Sequence, residues 1–138
     1  MKQLLASATL PVQYAAATYA SSQEAEVLTA SPAELVAIVY RILAREIRAA
    51  EVASERGDRA AVSGHAQKGR QALQSLRQGL DFTNGGEIAQ HLEQVYSFLF
   101  DALVRADVRG EATPLRGTTE VVASLESAWQ ELARREKA

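Results

Sequence analysis

The chain contains no cysteine. Disulfide staples and thiolate chemistry are therefore excluded, and a reducing compartment suits it. Proline is scarce, at 3 residues, and glycine little commoner, at 8 of 138. Both interrupt helices, whereas the abundant alanine loses no side-chain entropy in one, so the chain reads as all-α. A charge of one sign is also missing. The formal net charge is −2, too small a field to draw nucleic acid or an anionic membrane. No apolar run approaches the roughly 18 residues of a membrane span, so no membrane insertion is expected. The opening residues MKQLLASATLPVQYAAA resemble a secretory signal only in part, because Ser7, Thr9, Pro11 and Gln13 break the apolar stretch. A cytoplasmic location follows as the expectation.

Residues 1–30 lack sustained periodicity and read as a mobile N-terminal arm. Residues 31–138 carry four amphipathic patterns. Ser31-Pro32-Ala33-Glu34 has the form of a helix start, with Ser31 as N-cap, Pro32 in the first turn and Glu34 closing a capping box. That helix is predicted to run to about Arg56 and stop at Gly57. Asp58 caps a second, reaching Leu80 through Val62, Ala66, Gly69, Leu73 and Leu76; Gly64 and Gly69 inside it each cost about 1 kcal/mol relative to alanine unless a neighbouring backbone approaches closely. Residues 81–86 read as a turn, with Asn84 capping a third helix that follows Ile88, Leu92, Val95/Tyr96, Leu99 and Leu103 to Gly110. Thr113-Pro114 opens a fourth, along Val121/Val122, Leu125, Ala128/Trp129 and Leu132. Long helices with short connections pack as an antiparallel up-down four-helix bundle.

No catalytic or metal constellation emerges. Glu87 and His91 are four residues apart rather than the three of the di-iron bundles, and His65 has no carboxylate at the needed offset. His65 reads as a histidine at the core edge and His91 as a surface one. Arg41, Arg45 and Arg48 share a face diluted by Glu46, Glu51 and Glu55, which reads as solvated and salt-bridged rather than as a nucleic-acid site. The first helix stands out for breadth. Beside the row Leu35, Val39, Ile42 runs a second, Val36, Tyr40, Leu43, Ile47. Two rows exceed one bundle seam. Either the helix is buried on two sides, or the second row, with Phe98 and Ala102 as neighbours, meets a partner.

Val27-Leu28-Thr29-Ala30-Ser31-Pro32 with Leu35 and Tyr40, then Leu76, Leu80-Asp81, Gly85-Gly86-Glu87-Ile88-Ala89, Leu92 and Tyr96, and finally Leu125 with Ala128-Trp129, occur in an order that resembles the flagellar secretion chaperones, the FliS family. Arg41-Ile42 departs from the Asp-Gly usual after the tyrosine, and His91 from the usual asparagine. The resemblance implies a cytoplasmic four-helix bundle, not an enzyme, with no cofactor or ATP. It would bind the disordered C-terminal region of flagellin, block premature filament assembly, and hand the cargo to the export gate protein FlhA.

Joined to the two-row reading, this makes Val36, Tyr40, Leu43, Ile47, Phe98 and Ala102 the expected partner-binding residues. Val12, Tyr14 and Tyr19 of the arm are the expected lid over that groove. The free protein is expected to be a monomer or weak homodimer. The alternative is a structural or regulatory bundle that self-associates through the same row.

Overall fold

A computed structural model describes residues 31–80 and 82–137. The expected arm, with Val12, Tyr14 and Tyr19, lies outside the described residues. Helix α1 spans Pro32–Glu55. Its start is the expected capping box: Ser31 Oγ accepts from the Glu34 backbone N–H at 3.2 Å, and Glu34 Oε1 accepts from the Ser31 N–H at 3.1 Å. It stops at Gly57, whose φ of 72° is open to glycine at little cost. Helix α2 spans Arg59–Gln78, with Asp58 Oδ1 accepting from the Ala61 N–H at 3.0 Å.

Two boundaries differ from the sequence reading. Helix α3 spans Phe82–Arg109, so residues predicted as a turn are already helical. The change of direction falls at Gly86 (φ 53°, ψ −131°), a conformation that needs a residue without Cβ. Downstream, Thr113-Pro114 opens only a 3₁₀ turn, Thr113–Leu115. Gly117 (φ 81°) interrupts it, and α4 spans Thr118–Lys137. Thr118 is buried, and its Oγ1 donates to the Leu115 carbonyl at 2.6 Å, joining the 3₁₀ turn to the new helix.

The four helices form the antiparallel up-down bundle, and no strand occurs among the described residues. Helix α1 is its centre. It packs along α2 on one side and α4 on the other, while α2 also packs on α3. Leu35, Val39, Ile42 and Leu43 are enclosed, and so are Ala33, Ala37, Ala44, Ala50 and Ala53. The alanines let neighbouring helices approach, and each fully buried Leu or Ile stabilises by about 1.5–3 kcal/mol. The outer polar stripe of α1 is Arg41, Arg45, Arg48 and Glu55, of which Arg41 alone is half-buried, while Glu46 is enclosed.

The two glycines of α2 differ. A Cβ on Gly69 would lie 3.2 Å from Leu103 Cδ2 and 3.6 Å from Leu43 Cδ1, so its absence lets α3 and α1 close on α2. A Cβ on Gly64 would meet nothing within 4 Å. Neither glycine meets the neighbouring backbone that was expected: leucine side chains fill the space at Gly69, and the space at Gly64 is open.

Candidate partner-binding site

The second row of α1 is core. Val36 is 3% exposed, and Tyr40, Leu43, Ile47 and Ala102 are completely enclosed. The expectation that this row presents spare apolar surface is corrected by the position of α1, which is flanked on both sides and met by α3 along Tyr40. Phe98 alone of the expected contact residues is open, at 51% exposure.

The open apolar surface belongs to α3 and α4. Among the described residues the backbones of these two helices hardly approach each other. Each carries a partly covered apolar row. On α3 it is Ile88, Leu92 and Val95, at helical spacing, with Phe98 one turn further on its outer edge. On α4 it is Val121, Leu125, Ala128 and Leu132. The first α3 residue is half exposed, Ala128 is exposed, and the others are half-buried against the core.

Shared contacts with α1 place the α3 row beside the first turns of α1 and the α4 row beside its middle, so the two overlap only near Tyr40. Tyr40 of α1 hydrogen-bonds Tyr96 of α3, and Ala37 and Arg41 border the same groove as Gln130 and Ala133 of α4. Toward the other end of α1, Ser54 Oγ accepts from the Ala112 N–H at 3.0 Å, and Glu51 accepts from Thr119 Oγ1 at 3.2 Å. The rows also face each other's side. On α4, Thr119, Gln130 and Arg134 flank the outer side of α1 at Glu51 and Arg41, and the row 121–132 lies on the opposite flank of the helix. On α3, Glu93, Phe100, Leu103 and Asp107 meet α2, and the row 88–95 lies away from them. The stretch where both rows run side by side holds Val95 and Phe98 of α3 and Ala128 and Leu132 of α4, and is here called the seam. The doubled positions Val95/Tyr96, Val121/Val122 and Ala128/Trp129 carried the sequence signal of the rows: one residue of each pair is buried and the other left on the flank.

Polar groups brace the bundle around the seam. The Tyr40 and Tyr96 hydroxyls hydrogen-bond within the core, with ring centroids 6.3 Å apart. Burial pushes the Tyr40 phenol up to about 12, partly offset by its bond to Tyr96. Tyr96 is raised well above the ordinary value, first by burial and then by Tyr40. Both are thus neutral phenols at physiological pH. On the α2–α3 face, Arg77 pairs with Glu93 and lies over the Phe100 ring, 5.6 Å from its centroid. Arg70 bonds Asp107 at 2.8 Å and, as the leading cause, holds that carboxyl below its usual value.

Among the described residues no three His, Asp or Glu side chains gather as a metal site. His91 is exposed, and His65 is occupied by Glu46 at 2.8 Å. No described helix is long and apolar enough to cross a membrane. The class defined by these features is an all-helical bundle with partly exposed apolar rows on α3 and α4.

The comparisons specify that class. Residues 15–136 match the family described as flagellar protein FliS, and the chain belongs to that family. It is 26% identical over 113 residues to the flagellar secretion chaperone FliS of Salmonella typhimurium, covering 81% of this chain and 84% of the relative. It is 23% identical over 111 residues to that of Vibrio cholerae, covering 80% and 82%.

Proposed function

We propose that this protein is a cytoplasmic flagellar export chaperone that holds the C-terminal region of flagellin along the α3–α4 seam. Membership of the FliS family supports the class of activity. The observation that carries the site is the pair of partly exposed apolar rows on two helices whose backbones hardly approach each other. A foreign amphipathic helix laid between them completes the burial that α3 and α4 do not give each other.

Flagellin's C-terminal region, disordered alone, orders on binding, and the apolar area buried along the seam offsets that entropy. In this reading Ile88, Leu92, Val95, Phe98, Leu125, Ala128 and Leu132 contact cargo. Val36, Tyr40, Leu43, Ile47 and Ala102 form the wall behind them. With its C-terminal region occupied, flagellin is kept from polymerising until it is passed to the export gate protein FlhA. No enzymatic step or cofactor is required, and the free chaperone is a monomer or weak homodimer.

Co-expression with flagellin tests this. The expected result is a discrete complex in which the flagellin C-terminal region resists protease. Concentration-dependent oligomers that ignore flagellin would instead support a self-associating bundle.

A further inference from the structure

We infer that the buried hydrogen bond between Tyr40 and Tyr96 fixes the roll of α3 about its own axis, and with it how far the α3 apolar row turns toward solvent. The two side chains come from α1 and α3 and meet in the core, at 0% and 2% exposure. Their hydroxyls bond each other directly, with the ring planes tilted by 46°. Tyr96 follows Val95 in the chain and lies one turn beyond Leu92. Both neighbours belong to the partly exposed row.

Helix α3 is otherwise held along one flank. Its backbone packs along α2 and against the 3₁₀ turn beyond its end, and among the described residues it hardly approaches α1 or α4. Its polar ties to α2 fall on that same flank: Glu93 pairs with Arg77, Phe100 lies beneath the same guanidinium, and Asp107 pairs with Arg70. Positions 93, 100 and 107 recur every two turns and so form one line. A helix fastened along one line can still rotate about it, and apolar contacts resist that motion weakly because they have no preferred direction. The tyrosine bond runs to a different helix and supplies the second point of attachment. Side chains extend about 5–6 Å from a helix axis, so a roll of about 20° moves them by about 2 Å. A bond between two hydroxyls spans only about 2.5–3.0 Å, so the same roll breaks it. Broken, it strands two hydroxyls away from water, whereas among the described residues no buried side-chain polar atom lacks a partner. Tyr40 and Tyr96 are therefore positioning residues: they act on cargo through the α3 row, without touching it.

The inference deepens the proposed function, and only its cargo readout rests on that reading. The position of the row is measurable without flagellin. Because the chain has no cysteine, thiols can be introduced one at a time. Val95→Cys reports the half-buried row, and Ala50→Cys, on the enclosed face of α1, reports opening of the bundle as a whole. Tyr40→Phe together with Tyr96→Phe keeps ring volume and removes both hydroxyls. In the full chain these substitutions are expected to change the thiol-labelling rate at Val95→Cys several-fold more than at Ala50→Cys, and to weaken flagellin binding about tenfold. Should the double variant fold poorly, Tyr40→Phe alone removes one partner of the bond and is expected to act in the same direction.

Labelling rates that change by the same factor at both sites, or an unchanged rate at Val95→Cys beside a lowered melting temperature, would overturn the inference, because the bond would then add stability without placing the row. Undiminished flagellin binding despite a selective response would contradict its part in cargo recognition. A selective response in a chain that never binds flagellin leaves the positioning role standing and removes the chaperone reading.

Discussion

His65 Nδ1 on α2 lies 2.8 Å from Glu46 Oε2 on α1, and this contact brings a carboxylate into the core. Glu46 is 7% exposed, although its helical neighbours Arg45 and Arg48 are in water. Removing the imidazole with His65→Ala leaves that carboxylate nearly enclosed and without its partner. The expected loss of stability is about 1–3 kcal/mol, read from the urea midpoint. His65→Ala with Glu46→Leu removes both polar groups and is expected to recover most of it. A double variant no better than the single one would show that the pair has no such role.

The buried phenols give a pH dependence with a fixed sign. Tyr40 is raised from 10.0 in the unfolded chain to about 12 in the fold. Its contribution is fully present below pH 10 and is lost as pH rises toward 12, because the unfolded chain releases its proton first. The two-unit rise corresponds to on the order of 3 kcal/mol for that group. Alkaline unfolding should begin above pH 10 and be accompanied by tyrosinate absorbance. In the variant carrying Tyr40→Phe and Tyr96→Phe this slope is expected to flatten. An equally steep slope in that variant would assign the transition to other groups.

Glycine substitutions separate propensity from packing. Gly64→Ala gains helix propensity with open space around the new methyl, and should stabilise by about 1 kcal/mol. Gly69→Ala gains the same propensity but sets Cβ 3.2 Å from a Leu103 methyl, so its net gain should be smaller. Gly69→Val adds bulk that must displace Leu103 and Leu43, and overpacking of this kind costs about 1–3 kcal/mol. Thermal denaturation of the three variants gives the order directly.

Phe98 offers the cleanest test of contact without core damage. It is half exposed on the edge of the seam. Phe98→Ala should leave stability within about 0.5 kcal/mol, as surface substitutions do, and weaken flagellin binding several-fold. Equal affinity would place the cargo elsewhere.

Much of the fold was legible because capping and periodicity are local. Ser31 with Glu34, Asp58 and Gly57 mark their boundaries by chemistry that operates within one turn. Gly86 and Gly117 were harder: a glycine announces freedom, but the direction the chain takes depends on what it packs against. The second row of α1, read as spare surface, is enclosed. Breadth of the apolar stripe on α1 indicated two covered sides, and whether a cover is the chain's own helix or a partner is a tertiary fact absent from periodicity. Glu46 illustrates the same limit, since its acceptance into the core depends on a histidine 19 residues away on another helix.

The central claim is that cargo lies on the α3–α4 seam. Calorimetric titration of the flagellin C-terminal region into Leu132→Asp and Val52→Asp tests it most directly. Leu132 is in the seam, whereas Val52 lies among the exposed residues of α1, at 44% exposure. With both variants shown to be folded by circular dichroism, the seam charge should weaken binding by about a hundredfold or more, near 2.7 kcal/mol, and the α1 charge should leave it unchanged. Undiminished binding by Leu132→Asp, or equal loss in both, would contradict the account.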